Sequence, residues 1–234
     1  RTGIQTLKNT IRDADLIVST HTAGVTANTD SENLLIREPV FDGLGRKVSG
    51  QHKIVWIYYQ STSDKKKKPG VIYRRESLVN GSTIGNFSSA EEVVSNIEKV
   101  KWSYRFSTQL AVQTTGTSLP LNYNLSLSKA NSTRAQITKI ACSRAGIDVD
   151  LKKGKGALSA ILGTVLQLPS GVIAGDIIDI EADSDPAYAP LSGGGSLANI
   201  VDFKIKYTKE GVDESEGEVE RNESYSVKLQ NFRG

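Results

Sequence analysis

Residues 101–112 read KWSYRFSTQLAV, and this stretch carries the clearest strand pattern in the chain. Mostly aromatic or aliphatic side chains at the even positions, from Trp102 to Val112, alternate with mostly polar ones at the odd positions, which is the period of a half-buried β-strand. The alternation resumes over residues 119–127 after a turn around Gly116. The pattern predicts a long antiparallel hairpin with one face in the core and the other in water.

Further strand patterns lie on both sides of this stretch. They predict strands at 33–37, 53–60, 70–76, 136–143, 147–151 and 176–182, and a closing hairpin formed by 201–207 and 224–229. Residues 21–30 and 183–198 have the composition of loops. A capping box at Ser88 and Glu91 predicts a second helix of about three turns, up to Val100. Residues 157–168 are ambiguous, and we favour a helix at their start.

The first element is predicted to be an amphipathic helix over residues 2–18. Its apolar stripe is formed by Ile4, Leu7, Ile11 and Ala14, whose spacings of three and four residues are helical. The chain starts at Arg1 without a Met, so we expect a cut through a longer helix.

The composition excludes several classes of site. With a single Cys and two His in 234 residues, Cys-based zinc modules, internal disulfides and multi-histidine metal centres are ruled out or disfavoured. A net charge of +3 is small for a protein that specialises in binding nucleic acid. We expect neither a cofactor nor enzymatic activity, because no catalytic constellation can be composed from these residues.

The order of the elements resembles the minor pilins and pseudopilins of type IV pili and type II secretion systems. The resemblance covers about the first 80 residues and rests on four segments: the helix IQTLKNTIRDA (4–14), the strand NLLIR (33–37), and the hairpin strands IVWIYY (54–59) and GVIYRRE (70–76). In that family the last segment often contains an aliphatic residue, an aromatic residue and one or two arginines. The closing hairpin also resembles the end of such a sheet.

The resemblance implies an α+β, pilin-like fold in which the N-terminal helix packs on an antiparallel sheet. It divides the chain into a helix-plus-sheet core (1–128), an inserted β-rich subdomain (129–198) and a hairpin that completes the sheet (199–234).

The implied function is that of a structural subunit that helps to initiate or cap a type IV pilus-like or type II secretion filament. Its partners would be other pilin or pseudopilin subunits, and an apolar segment before Arg1 would anchor it in the inner membrane. Its location would be the cell envelope, then a periplasmic or extracellular filament, and no small-molecule substrate is expected. The apolar stripe would form the packing face, and Lys8, Arg12, Asp13 and Asp15 would contact neighbouring subunits.

Two other function classes remain open. One is a β-rich adhesin or carbohydrate-binding domain, with a sugar platform drawn from six aromatic residues: Trp56, Tyr58, Tyr59, Trp102, Tyr104 and Phe106. The other is a phage structural protein.

Two charged clusters have a functional and a simpler interpretation. Lys65, Lys66, Lys67 and Lys68 either contact a polyanion such as DNA or form a solvated hairpin tip. Asp179, Glu181, Asp183 and Asp185 either bind calcium or form a polar strand edge. We favour the simpler interpretation of each. His21, His52 and Cys142 have no neighbourhood typical of a nucleophile or a base, and Cys142 is interpreted as a small core residue.

Overall fold

The computed structural model describes residues 2–61, 69–112, 118–120, 137–150, 165–167, 170–184, 195–196, 198–207 and 221–230. A single helix in this part of the chain, α1 (Thr2–Asp13), precedes sixteen strands. The strands are β1 (Leu16–Val18), β2 (Thr20–Ala23), β3 (Val25–Asn28), β4 (Asn33–Phe41), β5 (Lys47–Gln60), β6 (Gly70–Asn80), β7 (Thr83–Ile84), β8 (Glu91–Ala111), β9 (Ser118–Pro120), β10 (Ile137–Cys142), β11 (Ile147–Asp150), β12 (Val165–Gln167), β13 (Ile177–Ser184), β14 (Gly195–Ser196), β15 (Ile200–Tyr207) and β16 (Arg221–Lys228).

Twelve of these strands form one antiparallel sheet. Its main path runs β11-β10-β13-β8-β6-β5-β4-β1-β14, with β15 and β16 branching from β8 and β7 attached to β6. Two small separate sheets pair β2 with β3 and β9 with β12.

Strand β8 is the hub of the large sheet. Its 21 residues pair with β6 at their start, with β15 in the middle and with β13 at their end. Ile97 pairs with both Gly70 and Tyr207, and Tyr104 pairs with both Val201 and Ser184. Both edges of β8 are therefore occupied at these points.

The sheet segment β4–β5–β6 is covered on both faces. Leu34 and Ile36 enter the main core together with α1, β8, β15 and β16, whereas Leu35 enters a second core with Ala23 and Ala27 of the β2–β3 hairpin. Successive residues of a strand point to opposite faces, so a run of three buried residues requires cover on both sides. Phe203 and Trp102, whose ring centroids lie 5.1 Å apart, occupy the main core.

The predicted α+β fold class is wrong. In the described residues the chain is mainly antiparallel β-sheet, and its helix ends at Asp13 instead of residue 18. Immediately after α1 the backbone N–H of Asp15 donates to Arg37 O at 2.9 Å, and Leu16, Ile17 and Val18 are all buried in strand β1. The β-branched pair Ile17 and Val18 fits a covered strand better than a helix.

The helix predicted from Ser88 is also wrong, because residues 91–111 form β8. The backbone N–H of Ser88 donates to Glu76 O at 2.7 Å, and its hydroxyl accepts the Glu76 N–H at 3.0 Å, so Ser88 joins β6 instead of capping a helix. Asn96 has a φ of 59° close to where the pairings of β8 with β6 and β15 shift register. Because of this irregularity, Ile97 and Val100 are both buried although they are three residues apart, and in the sequence that spacing looks helical.

Two other predictions are corrected. Residues 21–30, predicted as a loop, form most of the β2–β3 hairpin. Residues 119–127 are predicted to pair with residues 101–112. This is wrong for residues 119–120, because strand β9 (118–120) pairs with β12, and residues 121–127 lie outside the described residues. Residues 165–167, the described end of the ambiguous segment 157–168, form strand β12, and the start of that segment, where we favour a helix, lies outside the described residues.

The remaining strand predictions are confirmed. Strands β4, β5, β6, β10, β11 and β13 include the predicted segments apart from terminal residues, and β5 and β6 are paired. In the closing hairpin Val201 pairs with Val227 and Phe203 with Tyr225. Strands β10, β11 and β13, which belong to the segment predicted as an insertion, continue the large sheet beyond β8.

Candidate functional site: the docked helix

Helix α1 is docked against the sheet along its length. Leu7, Ile11 and Ala14 are buried in the main core, and Ile4 packs against it. At the start of the helix, Gly3 approaches β8 so closely that a Cβ there would overlap the carbonyl oxygen of Val93 and lie 3.3 Å from Val94 Cγ2. The predicted stripe thus packs within this chain, and its buried side chains are not available to a neighbouring subunit.

The end of α1 is fixed by the residues that follow β16 and by the residue that precedes β1. The carbonyl of Arg12 accepts the backbone N–H of Gln230 at 2.7 Å. Two residues after the helix, the N–H of Asp15 bonds to Arg37 O on β4. Backbone bonds therefore hold the exit of the helix between two distant parts of the sheet.

Asp15 is a buried carboxylate, not the outward-facing contact predicted for it. Its side chain is 4% exposed, and its two oxygens accept Arg37 Nε at 2.7 Å and Lys47 Nζ at 2.8 Å. Burial alone raises the pKa of the Asp15 carboxyl, but the hydrogen bonds and positive charges of Arg37 and Lys47 outweigh it and lower that pKa. The group is an internal brace between α1, β4 and β5.

Three predicted contact residues lie on the outer side of α1. The Lys8 ammonium is 5.4 Å from the centroid of the Tyr225 ring, which is within cation–π distance. Arg12 and Asp13 form an exposed ion pair of 3.3 Å. Together with exposed Thr2, Gln5 and Thr6, these residues give α1 a polar outer face.

The residues proposed for a calcium site are not brought together in the described part of the chain. Asp179 accepts a hydrogen bond from Gln109 Nε2 at 2.8 Å, and Glu181 is paired with Arg105. The side chain of Asp183 and all of Asp185 lie outside the described residues, as do Lys65, Lys66, Lys67 and Lys68. Within the described ranges no group of three His, Cys, Asp or Glu side chains is arranged to hold a metal ion.

His21 and Ser77 form a contact that could be mistaken for a catalytic dyad. Their side chains are 3.1 Å apart, but the buried Ser77 hydroxyl donates to Gly85 O at 2.6 Å. Because Ser77 has one proton, the Nε2–H of His21 must be the donor in the first bond. His21 therefore cannot accept the Ser77 proton in this arrangement. Cys142 is fully buried, as a core residue would be.

The predicted aromatic platform is split between the two faces of the sheet. Trp102 and Tyr104 are buried and Tyr59 packs against the main core, whereas Trp56 and Tyr58 lie on the opposite face. The side chain of Phe106 is not described.

The rings on that opposite face form one contiguous cluster. Tyr58 lies 4.4 Å from Trp56 and 5.7 Å from Tyr73, measured between ring centroids, and Phe87 packs on Trp56 at 5.4 Å. The planes of these pairs are inclined by 33°, 29° and 52°, so the rings do not form the single flat surface on which a sugar ring stacks.

The sequence interpretation missed Gly3, Arg37, Lys47 and Gln230. Gly3 had a signal, because it lies four residues before Leu7 on the buried stripe, where a small residue permits close approach of a strand. The two cations that bind Asp15 gave no signal in the sequence, because only the pairing of β4 with β5 brings Arg37 and Lys47 close to it.

In the part of the chain that the structure describes, α1 is too short and too polar to cross a membrane, and no other helix is present. Comparisons with protein-family models, curated proteins and solved structures gave no match.

Proposed function

We propose that this chain is a non-catalytic structural subunit of a filament of the type IV pilus or type II secretion class. In this role α1 connects the β-sheet body to a helical filament core. One observation carries the proposal: α1 is docked from Gly3 to the Arg12 carbonyl on one side, while its other side is polar and exposed.

A docked helix suits this role because the helix and sheet then move as one body. Leu7 and Ile11 are 1% and 0% exposed, so lifting α1 from the sheet would expose both. Burial of such side chains contributes about 1.5–3 kcal/mol each. The Asp15 brace and the Gln230 bond fix the other end of the helix. The proposal requires this attachment of α1 to the sheet, and it does not require an α+β fold class.

The exposed face of α1 gives the first test, which uses engineered cysteines in the complete protein expressed with its own filament system. The native Cys142 is the only cysteine in the chain and is buried, so cross-links will come from the introduced thiol. Gln5→Cys places a thiol on the outer face of α1, and Lys101→Cys places a matched thiol on an exposed position of β8.

The proposal expects Gln5→Cys to yield cross-links to related filament subunits, identified by mass spectrometry, and Lys101→Cys to yield few or none. Equal yields from the two positions, or none from Gln5→Cys, would contradict it. Saturable binding of a glycan that is lost in Tyr73→Ala would instead favour the carbohydrate-binding alternative.

Reading the gene upstream of Arg1 gives a second test. The proposal requires a short basic leader, a small residue at a cleavage point, a Glu a few positions later and about 20 apolar residues. An ordinary secretory signal peptide there, or a start codon directly before Arg1, overturns it.

A further inference from the structure

The two histidines of the chain meet on one face of the sheet. His21 lies on β2 and bonds to Ser77 of β6, and His52 lies on β5 directly opposite Val79 of β6. Ser77 and Val79 are two residues apart, so they share a face, and Val79 belongs to the second core. His21 and His52 are the only two histidines of the chain, and histidine is the side chain that titrates near neutral pH. Both rings lie on the face of the sheet that the β2–β3 hairpin covers.

The β2–β3 hairpin is attached to the sheet unequally at its two ends. At its base Thr29 is buried, its hydroxyl donates to Val18 O at 2.5 Å, and it accepts the Leu35 N–H at 3.0 Å. Towards its tip, one backbone bond of 3.3 Å joins Phe87 N–H to Ala23 O. Between these ends Ala23 and Ala27 pack in the second core, and His21 adds polar and ring contacts through Ser77 and through an edge-on contact with the Phe87 ring at 5.5 Å.

The charges that act on His52 are mostly positive. Arg37 and Lys47 act on His52, and Asp15, which is paired with both, partly offsets them. On β6, the Arg75 guanidinium lies 6.0 Å from the centroid of the Phe87 ring that contacts His21.

We propose that His21 and His52 form a pH-sensitive latch. When the solution is acidified below neutrality, the positive charge that the partly buried His21 ring gains, next to that of His52, favours release of the tip of the β2–β3 hairpin while Thr29 holds its base. The bond to Ser77 does not itself sense the proton, because the Nε2–H of His21 is present in both protonation states. Release uncovers the apolar surface beneath it, formed by Leu35, Ile54, Val79 and Phe87.

The direction follows from proton linkage. Burial lowers the pKa of His21, and the charge of His52 lowers it further; burial also lowers the pKa of His52, with Arg37 as the next cause. In the released hairpin His21 has an ordinary pKa of about 6.5, so the released form binds a proton at a higher pH than the closed form does. The closed form is therefore fully stable above that value and loses stability as the pH falls below it, down to the lowered pKa of the closed form.

Hydrogen exchange measured by mass spectrometry on the full chain tests the latch. Exchange of residues 20–28 is compared at about pH 7.5 and about pH 5.5, after correction for the intrinsic effect of pH, with β15 as the internal control. We expect protection of residues 20–28 to fall about threefold or more at the lower pH, and that of β15 to stay unchanged.

Two variants make the test specific. His21→Gln keeps a donor for Ser77 but cannot be protonated, so its hairpin should lose much less protection at the lower pH than the wild type does, with only His52 left to titrate. His52→Gln should show a smaller pH effect than the wild type, because His21 still titrates. Wild-type protection that does not change with pH, or a His21→Gln variant that responds like the wild type, overturns the latch.

A measurement on the wild type covers the case in which His21→Gln does not fold, as judged by circular dichroism. The imidazole Cε1–H resonances of His21 and His52 should titrate below the ordinary range for histidine. A His21 resonance that titrates at or above about 6.5 overturns the proposal.

Discussion

Substitution of Gly3 by Ala tests whether α1 depends on its close approach to β8. A Cβ at residue 3 would overlap the carbonyl oxygen of Val93 and lie 3.1 Å from its carbon and 3.3 Å from Val94 Cγ2. The first two of these atoms belong to the backbone of the longest strand in the sheet. Relief of the clash therefore requires the start of the helix to lift.

Two opposing terms decide the magnitude. Ala is better than Gly in a helix interior by about 1 kcal/mol, and by less in the first turn. Overpacking against an interior that cannot adjust costs about 1–3 kcal/mol. We expect a net loss of about 1–2 kcal/mol of unfolding free energy, which for a chain of this size is a fall in Tm of about 2–8 °C.

Gly43→Ala is the matched control for this measurement. No atom lies within 4 Å of a Cβ built at Gly43, and its φ is not in the left-handed region. This variant should match the wild type or gain about 0.4–1 kcal/mol through loss of freedom in the unfolded chain. Thermal and urea unfolding of both variants, followed by circular dichroism, give the comparison. A Gly3→Ala protein as stable as Gly43→Ala would refute the close docking of α1.

Three further variants test the brace, the core and the hairpin contact. Asp15→Asn should lower the free energy of unfolding by about 1–3 kcal/mol at neutral pH. Because the pKa of Asp15 is lowered in the folded protein, the stability that its carboxylate contributes is lost as the pH falls below 3.8, so the difference from the wild type should shrink there. Urea unfolding at neutral pH and below pH 3.8 measures both effects. Phe203→Ala should cost about 3–5 kcal/mol in the same assay, since its ring is fully buried, and a loss below 1 kcal/mol would contradict the shared core. Ser77→Ala should cost about 1–3 kcal/mol by leaving Gly85 O and the His21 N–H without their partner, and a neutral effect would contradict that bond.

The sequence was informative where local pattern and environment agree. Alternation found the half-buried strands around Trp102, and the helical stripe found α1 up to Asp13. It failed where long-range contacts decide the structure. Ile97 and Val100 have the spacing of a buried helical stripe, but they face the core from a strand because β8 is irregular at this point. The irregularity is visible only in the pairings of β8 with β6 and β15. Ile17 and Val18 continue the helical stripe in the sequence but are paired with β4 or β14.

The candidate site was predictable in the same limited sense. The buried stripe Leu7, Ile11 and Ala14 follows from periodicity alone. The burial of Asp15 does not, because its two cations come from strands that follow it at a distance in the chain. The meeting of His21 with His52 is set by the register of β5 on β6 and by the position of β2 over both, and no local signal encodes either.

The position of β8 in the sheet also constrains how the protein is made. In the sequence its partner β6 precedes it, whereas β13 and β15 follow it. The Arg12 carbonyl likewise bonds to Gln230, which lies near the end of the sequence. At a synthesis rate of about 5–20 residues per second, the parts of β8 that pair with β15 and β13 stay unpaired for seconds after β8 leaves the ribosome. An unpaired strand edge is a template for wrong pairing. A nascent chain therefore needs protection until its last strands emerge, and a truncated product would keep both an open β8 edge and an unfastened helix.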